Sequence, residues 1–410
     1  ASTDLTQGAI EESGMTQVRV ANSTQKYLPY LDGVRGYGFL LVFLVHYFSP
    51  DQIAHPGSVA FRFWTGLEPI TFLAVPVFFV LSGYLIGGIL YGTRNRDGYF
   101  RVFYCRRIVR VFPVYYLALL IIGCVEASLR FPLDRYFWTH FLFIQNLFPD
   151  FTSPSHHCPA VLIHYWSLAT EEQFYLLWPL VVWFFPERRK LLGIAGFLIV
   201  VICAIRLAIS HFFAFPFQIR YFSYTRADAI LLGVLLALIC HEPVFGRIKP
   251  FAKWIALAGI ATMVVWALRR GEAWPSTFRG VQVMIPWINF TAVAIIIAAL
   301  EEKSWLNRVC SKRWICWIGK RSYSLYIVHF TYYRWFAGYV IPPLASHIPF
   351  VLSVVVSGAL AFSLTVSLGM LSYRFIETPA LGLKQRLKYG PVKNSSSRRV
   401  SEKVLVGTGA

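Results

Sequence analysis

Tyr30-Leu31-Asp32-Gly33-Val34-Arg35-Gly36-Tyr37-Gly38-Phe39-Leu40-Leu41-Val42-Phe43-Leu44-Val45-His46 is the stretch that decides the fold. It is apolar and long enough to enter a bilayer, yet it holds a carboxylate, a guanidinium and an imidazole. A charge at the centre of a spanning helix costs roughly 2.5–3.5 kcal/mol on insertion scales, so each of these residues needs a reason. Their spacing supplies one. At about 100° per helical residue, Asp32, Arg35 and His46 fall within roughly 60° of one another. Arg35 and His46 lie roughly 16 Å apart along the axis, about half of a roughly 30 Å hydrocarbon core. Such a stripe has the form of one wall of a polar cavity. The plainer alternative is an arginine anchored at the interface and an unrelated buried histidine.

Composition puts that stretch in a membrane. Of 410 residues, 56% are hydrophobic and only 14% are charged, and the mean hydropathy is +0.54. A soluble domain carries about 25% charged residues. The fold expected is an all-α, polytopic integral membrane protein. The net charge of +19 then reports basic loops and contact with anionic membrane lipids, not nucleic acid. The seven cysteines, at 105, 124, 158, 203, 240, 310 and 316, form no CxxC pair. Neither a disulfide framework nor a zinc site is expected. His156-His157-Cys158 is a weak metal signal, because three contiguous loop residues rarely make a ligand set, and no metal is expected.

Residues 1–27 are polar and are expected to form a disordered cytoplasmic tail. They lack the apolar region of a signal peptide, so the first span is the expected targeting signal. Apolar segments recur at about 33–49, 67–91, 108–126, 164–185, 191–213, 225–241, 254–268, 281–300, 321–340 and 350–373, which makes about ten transmembrane helices. Basic residues crowd alternate loops: Arg94 to Arg107, Arg188 to Lys190, Arg247 to Lys253, Lys303 to Arg321, and the segment from Lys384 to Arg399. The positive-inside rule then puts both termini in the cytoplasm. Arg269, Arg270 and Arg279 run against that pattern. An aromatic stretch in the long outward loop, Tyr136 to Phe148, is expected at the interface. Residues 28–384 are expected to be one membrane domain with no appended soluble catalytic domain, followed by a basic cytoplasmic tail over 385–410. No internal repeat is evident.

The remaining polar residues inside apolar segments are few. His164, Ser167, Glu171, Tyr175 and Trp178 share one helical face, while Glu172 points roughly 100° away from Glu171. Snorkelling carboxylates near the surface are the plain alternative there. Arg226 and Asp228 open another helix and could form a purely structural pair. Ser322, Tyr326, His329 and Tyr333 follow one face, for which ordinary interhelical hydrogen bonding is sufficient. Arg106, Arg107 and Arg110 make the densest basic cluster at the inner surface. They face either lipid or a polyanionic ligand, since arginine forks suit phosphate.

Taken together, these motifs resemble the membrane acyltransferase-3 family, whose members O-acylate sugars and other exported molecules. The resemblance rests on Leu31-Asp32-Gly33-Val34-Arg35-Gly36 with His46, on Val77-Phe78-Phe79-Val80-Leu81-Ser82-Gly83-Tyr84, and on Arg106-Arg107 with Arg110 and Phe112-Pro113. It continues through Tyr165-Trp166-Ser167-Leu168-Ala169-Thr170-Glu171-Glu172-Gln173-Phe174-Tyr175, Thr225-Arg226-Ala227-Asp228, Gly319-Lys320-Arg321-Ser322-Tyr323-Ser324 with His329, and Tyr373-Arg374-Phe375-Ile376-Glu377-Thr378-Pro379. These occur in the family's order over about residues 28–384. Val34 stands where the family often has Leu, and Thr378 where a basic residue is common.

The resemblance implies a cytoplasmic acyl-CoA donor, usually acetyl-CoA, and a hydroxyl acceptor on a carbohydrate or a lipid-linked glycan. Arg106, Arg107 and Arg110 would hold the donor phosphates. The donor arm would run along Asp32 and Arg35 and bring the thioester to His46. His46 would act as general base or as an acyl relay, two routes the sequence leaves open. Glu171 would orient His46 or bind the acceptor, and Arg35 would pair with Asp32 or stabilise charge on the thioester oxygen. Glu172, Arg226, Asp228, Tyr326 and His329 are the candidate acceptor-binding residues. The family also implies a bacterial inner membrane. Intramembrane Arg, His and Glu equally suit a proton-coupled secondary transporter, and a glycan flippase is a further alternative. Neither of these would consume a thioester.

Overall fold

In lipid, backbone polar groups must be satisfied within helices or closed barrels. The computed structural model describes residues 28–48, 59–130, 135–148, 160–212, 218–272, 274 and 277–392. Among these, all regular structure is helical apart from one isolated antiparallel bridge between Arg96 and Val392. The expectations for residues 1–27, for the chain beyond residue 392 and for His156-His157-Cys158 fall outside the described residues.

The helices that matter for the site are α1 (Pro29–Tyr47), α2 (Val59–Thr71), α3 (Ala74–Thr93), α4 (Tyr99–Ser128), α5 (Trp166–Phe184), α6 (Arg188–Phe212), α7 (Asp228–Ile239), α8 (Ala252–Arg270), α9 (Phe278–Leu300), α10 (Arg313–Lys320), α11 (Ser322–Val328) and α12 (Phe350–Ser372). A π-helical turn, Tyr373–Glu377, joins α12 to α13 (Thr378–Arg386). Among the described residues, six helical stretches are long and apolar enough to cross a membrane: Phe61–Thr93, Tyr99–Ser128, Arg188–Ile209, Pro243–Arg270, Gly280–Leu300 and Phe350–Arg386.

The expected segments that miss this criterion are the ones that carry polar residues. α1 and α5 are each 19 residues long, but Asp32, Arg35 and His46 in one, and Glu171 and Glu172 in the other, lower their hydropathy. α7 has 12 residues, roughly 18 Å of helix. The expected span over 321–340 is broken into α11, a run of turns, and short helical pieces. Its freed carbonyls find partners elsewhere: the Tyr47 hydroxyl donates to the His329 carbonyl at 2.7 Å, and the Tyr165 hydroxyl to the Ile327 carbonyl at 3.4 Å. Hydroxyl donors of this kind let a helix end inside a bundle.

Close approaches of backbone set the position of α1. A Cβ on Gly33 would collide with the carbonyl of Cys310, and one on Gly319 of α10 with the carbonyl of Asp32. With no side chains at these points, α1 packs backbone-to-backbone on α10 and the short helix Trp305–Cys310. Asp32 and Arg35, about 100° round the helix from Gly33 and Gly36, are thereby left to face a different neighbour. The same device joins α3 to α7, where Gly83 meets the Ile230 carbonyl and Gly233 meets the Val80 carbonyl.

The aromatic stretch before α5 is exposed at Trp138, Leu142, Leu147 and Phe148 and buried along its other side. Phe137, His140, Phe143, Gln145 and Asn146 are buried. The Asn146 side-chain amide donates to the Trp166 carbonyl (3.1 Å), to Thr170 (3.0 Å) and to Ser223 (2.8 Å). The polar amides need these partners once buried, and they tie the loop into the bundle beneath α5.

Candidate active site

α1, α3, α4, α5, α11 and α13 enclose a cavity of about 460 Å³. It follows α3 from Ile89 to Val75, roughly 21 Å of helix. The α3 wall is mostly apolar, with Val75, Phe78, Phe79, Leu81, Leu85, Ile86 and Ile89. Opposite it stand Asp32 and Arg35 of α1, Arg107 and Arg110 of α4, Glu171 and Glu172 of α5, Tyr326 of α11 and Lys384 of α13. An apolar wall facing a few converging charges is the usual form of a small-molecule site.

The charges are partly ordered among themselves. Arg35 Nη1 lies 3.5 Å from Asp32 Oδ1, one helical turn away. The Tyr175 hydroxyl donates to Glu171 Oε2 at 3.0 Å, so the Ser82 hydroxyl, which is hydrogen-bonded to it, must donate to Tyr175. The guanidinium of Arg107 lies over the Tyr175 ring, 4.5 Å from its centroid, a cation–π contact. At the far end, the Tyr326 hydroxyl donates to the His164 carbonyl at 2.8 Å and lies 2.6 Å from the Ser167 hydroxyl. This Ser167–Tyr326 pair closes the cavity.

Behind that pair sit three histidines. The ring of His329 lies 4.9 Å from His164, 5.1 Å from His46 and 5.3 Å from Tyr326. His46 thus lies one side-chain layer beyond the cavity wall and does not line it with Arg35. The reason is the length of α1: the cavity stops at Tyr326 before the helix reaches His46. Two carbonyls assign the tautomers. His46 Nδ1 is 2.7 Å from the Val42 carbonyl, and His329 Nδ1 is 2.6 Å from the Tyr326 carbonyl. A carbonyl only accepts, so each Nδ1 carries hydrogen and, in the neutral ring, each Nε2 carries the lone pair. His46 Nε2 is therefore the basic atom. The neighbour of His46 in this cluster is His329, while Glu171 is engaged by Tyr175.

The other residues singled out in the sequence lie elsewhere. Arg106 turns away from the cavity; its Nε donates to the Leu387 carbonyl at 2.8 Å, and its guanidinium lies over the Tyr389 ring. Asp228 is buried and pairs with Arg206 of α6 at 2.8 Å, not with Arg226. Arg206 also donates to the Thr225 carbonyl at 2.9 Å. Arg226 is buried beside this pair. Ser82, Lys384 and Arg206 are the polar residues that sequence reasoning passed over. Ser82 sits in an apolar run with no periodic signal, Lys384 reads as one more charge of the basic segment that runs to Arg399, and Arg206 stands alone in an apolar helix. Among the described residues no cluster of His, Cys, Asp and Glu could hold a metal ion.

A family model described as an acyltransferase domain matches residues 28–370. The chain belongs to this acyltransferase family, acyltransferase-3. O-acetyltransferase OatA of Staphylococcus aureus is 29% identical over 379 residues, covering 86% of this chain and 57% of the relative. Peptidoglycan O-acetyltransferase OatA of Listeria monocytogenes is 26% identical over 383 residues, covering 88% and 57%. YrhL of Bacillus subtilis is 28% identical over 335 residues, covering 74% and 48%. The chain spans about half the length of these relatives. No solved structure matches it. Within the acyltransferase-3 family, the cavity and the histidine cluster are the features of this chain to which chemistry can be attached.

Proposed function

We propose that this membrane protein moves an acetyl group from cytoplasmic acetyl-CoA to a hydroxyl of an envelope glycan. Peptidoglycan is the acceptor class suggested by the names of the Bacillus subtilis and Listeria monocytogenes relatives. The observation that carries the reading is the shared cavity, in which Arg35, Arg107 and Arg110 stand along the same space as Glu171 and Glu172, one residue layer from His46. Arginines suit the donor phosphates. The apolar α3 wall suits its uncharged arm.

His46 Nε2 accepts the proton of the acceptor hydroxyl. The freed oxygen attacks the thioester carbonyl, the carbon–sulfur bond breaks, and the imidazolium returns its proton to the leaving thiolate. The products are an O-acetyl ester and free CoA. Arg35 is the candidate partner for charge on the thioester oxygen, while Glu171, Glu172 and Tyr326 line the route between donor and acceptor. For His46 to meet the thioester, the Ser167–Tyr326 pair must part. The reading carries a topology of ten spans in a bacterial inner membrane, with both ends cytoplasmic, supported by the alternation of basic loops.

The test is purified protein in nanodiscs with acetyl-CoA and soluble peptidoglycan fragments, following free thiol and acetylated glycan together. Equal amounts of both are expected. Thiol release with no acetylated glycan would remove the acceptor assignment. The absence of both, in protein shown to be folded, would remove the enzyme reading.

A further inference from the structure

Lys384, the last residue of the expected membrane domain, reaches the cavity from α13. Arg107, Arg110 and Lys384 make no hydrogen bond or ion pair among the described residues, although all three are half-buried around one space. Glu171 and Glu172 act on Arg107 and Arg110 only at longer range. The charges that bear on Lys384 are those of Arg110, Arg107, Arg106 and Arg35, all positive. Like charges gathered without an intervening acid repel, unless an anion lies between them.

The chain spends several contacts on holding Lys384 there. Beyond α13, Gly390 N donates to the Asp97 carbonyl at 3.0 Å and Asp97 N to the Pro391 carbonyl at 3.2 Å. Arg96 bridges to Val392. Arg106 holds the Leu387 carbonyl and covers Tyr389. Residues 387–392 are thus strapped to the turn between α3 and α4, at the same end of the cavity as Leu28 and Ile89.

We propose that Lys384 is a phosphate-binding residue, completing with Arg107 and Arg110 an anion clamp at the inner end of the cavity, and that Arg106 is a positioning residue that acts through the strap. The proposal rests on the donor reading above for the source of the phosphate, which is CoA. An anionic phospholipid headgroup presents the same chemistry, and the two are separated below.

The experiment measures CoA binding by full-length protein in phosphatidylcholine nanodiscs, independently of turnover. Lys384→Met, which keeps the apolar stem, is expected to bind CoA about tenfold more weakly, as for loss of one charge-assisted hydrogen bond. Lys384→Arg should restore most of that affinity, and exposed Lys388→Gln should behave as wild type. Arg106→Ala should weaken binding too, and combining it with Lys384→Met should cost no more than the larger single effect, because both break one device. Additive losses would make Arg106 an independent phosphate ligand and overturn its positioning role. Unchanged CoA affinity in Lys384→Met, with wild type binding well, would overturn the clamp and leave the donor reading intact. If wild type binds no CoA, the donor reading fails by itself. Thermal stabilisation of wild type by phosphatidylglycerol, lost in Lys384→Met, would then assign the clamp to a lipid phosphate, and its absence would overturn the clamp as well.

Discussion

His329 Nε2 lies 3.4 Å from His46 Nδ1, with its lone pair toward the hydrogen that His46 also shares with the Val42 carbonyl. His329 therefore helps to fix which nitrogen of His46 is basic, as the orienting partner of a catalytic histidine does. Replacing His329 by Ala should lower acetyl transfer by about 10–100-fold, less than the roughly 10²–10⁴-fold ascribed to the general base itself, because His329 acts through His46. Donor affinity should be kept, since His329 does not line the cavity. Steady-state kinetics beside CoA binding separates the two. A loss confined to KM for acetyl-CoA would mean that His329 serves the donor instead.

Arg107 stands over the Tyr175 ring, and Tyr175 is bonded to Glu171. Its guanidinium is held by a flat surface that leaves the N–H edges available. Arg107→Lys keeps the charge and loses the stacked fork. It should raise KM for acetyl-CoA by about tenfold with a smaller change in kcat. An unchanged KM would show that the donor phosphates lie elsewhere.

The Arg206–Asp228 pair is fully buried, with side-chain exposures of 0% and 3%. Removing one partner of such a pair leaves an uncompensated charge and costs about 3–5 kcal/mol. Arg206→Ala and Asp228→Ala should each lower the temperature of unfolding in detergent markedly, whereas replacing both by apolar residues of similar volume should recover much of the loss. Whatever folded Asp228→Ala remains should turn over with an unaltered KM for acceptor. A raised acceptor KM in well-folded protein would return Asp228 to the substrate.

The helical membrane class was legible because low charge and long apolar runs leave few other fates for a chain. The cavity was legible in part for a related reason: Asp32, Arg35, Arg107, Arg110, Glu171, Glu172 and Tyr326 are polar where lipid would penalise them, and they do line one space. What helical phase could not reveal was where that space ends. Arg35 and His46 share a face of α1, but the cavity closes at Ser167 and Tyr326, which come from α5 and α11. Pairings across helices were equally hidden. The spacing of Arg226 and Asp228 suggested a local pair, yet the nearer cation is Arg206, one helix earlier. Lys384 and Arg110 are far apart in sequence, and the continuation of α12 through the π-helical segment Tyr373–Glu377 into α13 brings Lys384 to the cavity that Arg110 lines.

The most direct test of the account follows free thiol release from acetyl-CoA, in the presence of peptidoglycan fragments, by wild type and His46→Ala in matched nanodiscs. The account predicts acceptor-dependent release by wild type and a fall of about 10²–10⁴-fold in His46→Ala, with CoA binding retained. Undiminished release by His46→Ala would contradict it, because the proton would then be taken by a group other than the imidazole beside His329.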